Sequence, residues 1–246
     1  MNPQIESWAK EAILQEAEGL NTLAHALPDS FAEVADQLLR CTGRIVVMGM
    51  GKSGHIARKI ASTMASTGTP AMFVHPSEAS HGDLGMIEKR DIVIAISKSG
   101  ESPEFSDVVE YCRRFGIVLI AITAHATSNL AKTSNHVLLL PAIREACPLG
   151  LAPTTSTAMT LALGDALAIV CLRARDFQPS QFRDFHPGGK LGQKLTRLRI
   201  QKPGQLQDRY LLSLWRTESL PGFSYPQKTR MNHNFILPRA TYQNHS

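Results

Sequence analysis

Residues 44–55 read Arg-Ile-Val-Val-Met-Gly-Met-Gly-Lys-Ser-Gly-His. Arg44–Met48 is a short, mostly apolar run that stops at glycine, the pattern of a strand buried on both faces of a parallel sheet. Gly49, Gly51 and Gly54 then follow the G-x-G-x-x-G spacing, which marks a tight turn from strand into helix. The period repeats downstream. Apolar runs at Ala71–Val74, Ile92–Ile96, Val118–Ile122 and Val137–Leu140 alternate with helical stretches at about 55–67, 103–115 and 127–132. Five strand-like runs separated by helices predict an α/β fold with a five-stranded, parallel, doubly wound sheet flanked by helices. Upstream, Ile5, Trp8, Ala12, Ile13 and Leu20 fall at helical steps, and Phe31, Val34, Leu38 and Leu39 repeat them after a stop and start at Pro28-Asp29-Ser30. Downstream, residues 155–175 predict a helix apolar nearly all round, either buried or an oligomer interface.

Composition narrows the class. The chain has 246 residues and a net charge of +5. Four cysteines, Cys41, Cys112, Cys147 and Cys171, are too few for a disulfide scaffold and form no C-x-x-C pair. Residues 196–246 hold eight of the 26 Lys and Arg and two of the 21 Asp and Glu; the body before them has 18 against 19 and is nearly neutral. No folded basic face is expected, and hence no nucleic-acid partner. The first 20 residues carry four glutamates and no long apolar run, unlike a signal peptide. No segment reads as a membrane span of about 20 apolar residues, so a cytoplasmic chain without a membrane partner is expected.

In such a sheet, ligands bind outside the carboxyl ends of the strands. The loop after the first strand carries Lys52 and Ser53 between its glycines. It completes neither nucleotide fingerprint: His75 stands where a ribose-binding acid is expected, and Val46 where a P-loop needs glycine. What remains is an anion site of backbone amides, one ammonium and one hydroxyl; a plain strand–helix turn is the simpler alternative. After the third strand, Ser97, Ser99, Gly100 and Ser102 supply hydroxyls and amides for a phosphate, with Ser102 a candidate N-cap before Pro103. After the second strand, His75, Glu78, His81 and Asp83 suit either a metal or a pinned loop. After the fifth strand, Glu145 is a candidate acid or base, or a loop charge paired with an arginine, and His186 stands on a Pro-Gly-Gly turn. Together these loops describe a small-molecule phosphate site with acid–base groups.

Five stretches, GMGKSGHIARKIASTMASTGTP (49–70), FVHPSEASHGDLGMI (73–87), ISKSGES (96–102), EACPLGLAPTTSTAMTLALGDALA (145–168) and FHPGGKLG (185–192), resemble the SIS (sugar isomerase) domain of D-arabinose 5-phosphate isomerases. The likeness runs from about residue 8 to 195. It implies interconversion of D-ribulose 5-phosphate and D-arabinose 5-phosphate through an enediol, supplying 3-deoxy-D-manno-octulosonate for lipopolysaccharide or capsule. It also implies a homotetramer and no required cofactor. By motif, it marks Lys52, Glu104, Glu145 and His186 as catalytic, with either glutamate as the carbon base. His186 can come from a neighbouring subunit. Ser53, Gly68, Thr69, His81, Ser97, Ser99, Ser102, Pro141, Ala142 and Ile143 are implied substrate contacts. His75 matches a position for an optional, inhibitory zinc ion.

The expected division is N-terminal helices over 1–40 packing on a SIS domain over 41–195, then an irregular tail over 196–246, aberrant or disordered, in place of the paired CBS domains usual in the family. Two other readings compete. A regulatory SIS domain would sense a sugar phosphate, but residues 1–40 hold two basic residues against seven acidic ones and lack a DNA-binding surface. A dinucleotide enzyme would need the missing acid.

Overall fold

The computed structural model describes Asn2 and residues 4–188; the expectations for the tail from 196 lie outside the described residues. Two helices, α1 (Ile5–His25) and α2 (Phe31–Arg40), precede the sheet. The strands are β1 (Ile45–Gly49), β2 (Ala71–Phe73), β3 (Ile92–Ile96), β4 (Val118–Thr123) and β5 (His136–Leu139). Between and after them run α3 (Gly51–Ser66), α4 (Pro76–Ala79), α5 (Ser106–Phe115), α6 (Asn129–Thr133), α7 (Thr155–Ala174) and α8 (Pro179–Phe185), with short 3-10 turns at Asp83–Met86 and Pro103–Phe105.

All four pairings are parallel and the strand order is β2-β1-β3-β4-β5. The winding reverses between β1 and β3, so the crevice that such sheets offer to ligands opens between the loops that follow those two strands. Residue alternation divides the core. Ile45, Val47, Ile92, Ile94, Ile96, Ile120, Ile122 and Leu138 face α2, α3 and α7. Val46, Met48, Val93, Ala95, Leu119 and Ala121 face Phe105, Val108, Cys112 and Leu130 on the other side. Both faces are covered, which explains the unbroken apolar runs of the sequence.

The glycine spacing after β1 has a steric cause. A side chain at Gly49 would press on the backbone of Ser53 at 2.7 Å, and one at Gly54 would meet the Gly49 carbonyl at 2.6 Å. Only paired glycines let α3 leave the strand this sharply. Gly51, with φ +50, makes the turn itself.

α7 buries Thr155, Ser156, Met159, Thr160, Leu163, Gly164, Leu167, Ala168 and Cys171 along one face. Its other face includes Ile169, which is 42% exposed. By length and composition it is apolar enough to cross a membrane, which corrects the expectation that no segment is; half of it is buried against the rest of the chain. α1 crosses α7 where Gly19 lies against Thr155 and Met159. Of α1, Gly19 and Leu23 are buried, whereas Ile5, Trp8, Ile13 and Leu14 are more than half exposed. The apolar stripe read from α1 therefore faces away from this chain's own core.

Candidate functional site

The loops at the carboxyl edge are built from the strand ends. Lys52 and Ser53 sit in the first turn of α3; Lys52 is exposed and makes no ion pair among the described residues. The loop after β3 is held from within. The Gly100 N–H donates to Ser97 Oγ at 3.1 Å, and the Glu101 N–H donates to Ser99 Oγ at 3.3 Å. Ser97 and Ser102 share a hydroxyl hydrogen bond at 2.9 Å. Outside the loop, the Glu101 carboxylate accepts from the Asn129 N–H at 3.0 Å and from the Asn129 side-chain amide, and Gly100 O accepts from the Leu130 N–H at 3.0 Å. Gly100 has φ +68 and lies against Ser128, leaving no room for a side chain. The result is a stiff loop of hydroxyls with little reorganisation left to bind an anion.

Ser102 does not act as the expected side-chain cap. The Phe105 N–H, which a cap at Ser102 would use, is taken at 3.2 Å by the Ser102 carbonyl. The hydroxyl turns to Ser97 instead. Glu104, in that same 3-10 turn, is half-buried and makes no hydrogen bond or ion pair among the described residues.

Glu145 is the opposite case. It is 5% exposed, which corrects its reading as a solvated loop charge paired with an arginine. Arg144 reaches Gln15 instead, at 3.2 Å. Glu145 Oε2 accepts from the Thr154 N–H at 2.8 Å, the Thr154 hydroxyl at 3.2 Å and the Ser156 N–H at 3.1 Å. Its Oε1 accepts from the Ser156 hydroxyl at 2.5 Å and from the Lys98 ammonium. Burial alone would raise the carboxyl's pKa. Lys98, the Ser156 hydroxyl and the two backbone N–H groups outweigh burial and hold it at about 2. Lys98 is the residue the sequence reading passed over. It lies inside a serine motif, and its partner lies 47 residues away.

Pro141, Ala142 and Ile143 follow β5 at the same edge; Ile143 packs on the core and Ala142 is exposed. His75 and His81 follow β2 there. His81 is exposed, whereas His75 Nδ1 is buried without a hydrogen-bond partner. That orphaned nitrogen suits one metal bond, yet no group of three or more His, Cys, Asp or Glu gathers to hold a metal among the described residues. The described residues of one chain thus offer a single ligand rather than a set.

Three implied residues stand elsewhere. Gly68 and Thr69 precede β2, where the Pro70 carbonyl accepts from the Ile45 N–H at the start of β1. They belong to the amino edge. Phe177, just past α7, lies against Gly68, and its ring is 5.8 Å from Phe185 of α8. His186 follows α8, its Nδ1 2.7 Å from Phe182 O and its ring stacked on Phe182 at 4.0 Å. α7 starts beside Glu145 and its 20 residues carry the chain about 30 Å to that opposite edge. Within one chain, Gly68, Thr69 and His186 therefore do not join the serine loop. The spacing of motifs could not show this, because it does not say which end of an element a residue occupies.

An edge of phosphate-type loops at the reversal of a parallel sheet is what SIS domains present, and residues 38–170 match the SIS domain family. The chain belongs to that family. It is 52% identical over 191 residues to the arabinose 5-phosphate isomerase KdsD of Yersinia pestis, covering 78% of this chain and 58% of that protein. To KdsD of Escherichia coli K12 it is 50% identical over 186 residues, covering 76% and 57%. Among solved structures, E. coli CFT073 c3406 in complex with arabinose 5-phosphate superposes with a TM-score of 0.74 at 38% identity, covering 76% of this chain and all of that one. The chain spans somewhat more than half the length of these curated relatives.

Proposed function

We propose that the chain is an aldose–ketose isomerase interconverting D-arabinose 5-phosphate and D-ribulose 5-phosphate. The observation that carries this reading is the stiff Ser97–Ser102 loop beside the glycine turn at Lys52, in a fold shared with a structure that holds arabinose 5-phosphate. The loop and the α3 N-terminus take the phosphate. A carboxylate then removes the proton from C2 of the aldose, O1 gains a proton to give the enediol, and loss of the O2 proton with protonation at C1 completes the ketose. Glu104 suits the first step better than Glu145. Its carboxylate is unpaired among the described residues, whereas Glu145 is tied down by five donors and is a weak base. Lys52 supplies positive charge to the enediolate or the phosphate.

His186, Gly68 and Thr69 join the site from a neighbouring copy in a homotetramer. Their place at the far edge supports this, as does the apolar face left open on α1 and α7. The product feeds 3-deoxy-D-manno-octulosonate synthesis in the cytoplasm, and no cofactor is required. Zinc on His75 acts as an inhibitor: micromolar zinc is expected to lower turnover, and His75→Asn to abolish that sensitivity. The governing test is turnover of D-ribulose 5-phosphate by the full chain. Glu104→Gln should cost about 10²–10⁴-fold in kcat with ligand binding retained. Near-normal turnover in that variant would remove Glu104 from the mechanism.

A further inference from the structure

Glu145 is a buried carboxylate, and Lys98 is the one charged group bonded to it among the described residues. Its other partners, Thr154 and Ser156, are neutral. Lys98 comes from a different loop. Its own backbone is anchored to the end of β4, since Lys98 O accepts from the Ala124 N–H at 3.0 Å and from the Thr123 hydroxyl at 3.1 Å. The side chain therefore reaches from a fixed base. It is 43% exposed, while the Glu145 side chain is 3% exposed. A half-exposed ammonium against a buried carboxylate is an asymmetric pair. The lysine can do without its partner, but the carboxylate, left in a dry site, must shed its charge or be strained.

We propose that Lys98 is a positioning residue: its ammonium ties the serine loop to the Glu145 loop and keeps the Glu145 carboxylate ionised and fixed against the start of α7. This rests on the isomerase reading for its consequence in turnover, but the bond itself can be tested apart from turnover. Ser97 and Ser99 flank Lys98, so the loop that takes the phosphate and the lysine that sets the charge state of Glu145 are one rigid piece. Removing the ammonium leaves four neutral donors on Glu145 against the full burial penalty, so its proton affinity rises.

The test compares the full-length protein with Lys98→Met and Lys98→Arg. In Lys98→Met, the Glu145 carboxyl, followed by carbon-13 titration and assigned by its loss in Glu145→Gln, should begin to protonate above about pH 4, whereas in the wild type it should stay ionised down to about that pH. Lys98→Arg should return the curve to its original place. Identical curves in Lys98→Met and wild type overturn the proposal. On the isomerase reading, kcat for D-ribulose 5-phosphate should fall in Lys98→Met with KM within about twofold. A large rise in KM with an unchanged carboxyl curve would make Lys98 a reader of the phosphate and reject the role. If the wild-type chain has no turnover, the isomerase reading fails and the titration still decides this one. Lys98→Gln takes the same titration if Lys98→Met folds poorly.

Discussion

The two edges of this sheet are made differently. At the carboxyl edge, loops are braced by side chains: hydroxyl on amide, carboxylate on amide, lysine on carboxylate. At the amino edge, side chains tie one strand start to another: buried Asp91 accepts from the Arg44 N–H at 2.7 Å and the Glu88 N–H at 2.9 Å, Asn135 Oδ1 accepts from the Leu119 N–H at 2.8 Å, and Phe177 packs on Gly68. The carboxyl edge carries polar groups that are organised before any ligand arrives. Among the described residues, the amino edge carries Thr69, whose buried hydroxyl has no hydrogen-bond partner, and a histidine bonded only to its own helix. Among the described residues, one edge joins loop to loop around hydroxyls and a charge pair, whereas the other joins strand start to strand start.

The strongest way to break that comparison is complementation. Lys52→Ala and His186→Asn should each be inactive. Mixed and allowed to exchange subunits, they should regain measurable turnover, because some sites then draw both intact edges from different chains. Failure to regain any, with mixed oligomers shown by native mass spectrometry, would mean that each chain works alone.

A smaller effect should appear in acid. The Glu145 carboxyl lies at about 2 in the folded chain against an ordinary value of 4.5. The stabilisation from this depression is complete above about pH 4.5 and fades as pH falls toward 2, amounting to about 3 kcal/mol in all. Glu145→Gln should therefore be less stable than the wild type at pH 6, and the gap should narrow as urea midpoints are followed down toward pH 3. A constant gap would show that the network does not depend on charge.

The finest distinction is between two glycines. Gly100 at the carboxyl edge and Gly116 at the amino edge have φ of +68 and +64. Gly116→Ala meets open space and should cost only the left-handed strain, about 1 kcal/mol. Gly100→Ala adds a collision with Ser128 and should cost distinctly more, together with weaker pentose phosphate binding. Equal thermal shifts for the two would deny that the serine loop is the stiffer one.

The sheet was legible because burial on both faces leaves unbroken apolar runs, and Ile92–Ile96 coincides with β3 to the residue. The glycine turn was legible because a steric need selects one residue type. Less was visible where a role depends on a distant partner. Glu145 reads as an acid–base group or as a loop charge paired with an arginine, Lys98 attracts no reading, and nothing local reports a bond across 47 residues. The α1 stripe shows the converse limit. Periodicity reveals that an apolar face exists but not what covers it, and here Trp8 and Ile13 point away from the chain's own core. Ser102 misled for a local reason, since the Phe105 N–H that a cap would use goes to the Ser102 carbonyl and the Ser102 hydroxyl goes to Ser97.

α7 has one more consequence. It runs unbroken from Thr155, next to the Glu145 network, to Ala174, next to Phe177 and α8, with Gly164 fitted against Ile60 midway. A helix advances about 1.5 Å and turns about 100° with each residue, so it works as a ruler with a phase. One residue inserted near Leu167 would swing everything beyond it by more than a quarter-turn and push Cys171 off the core. The loops at either edge can change length without that penalty, while the count of residues in α7 is fixed by geometry. Variation among sequences built on this plan should therefore be free in composition on the open face of α7 and nearly absent in its length.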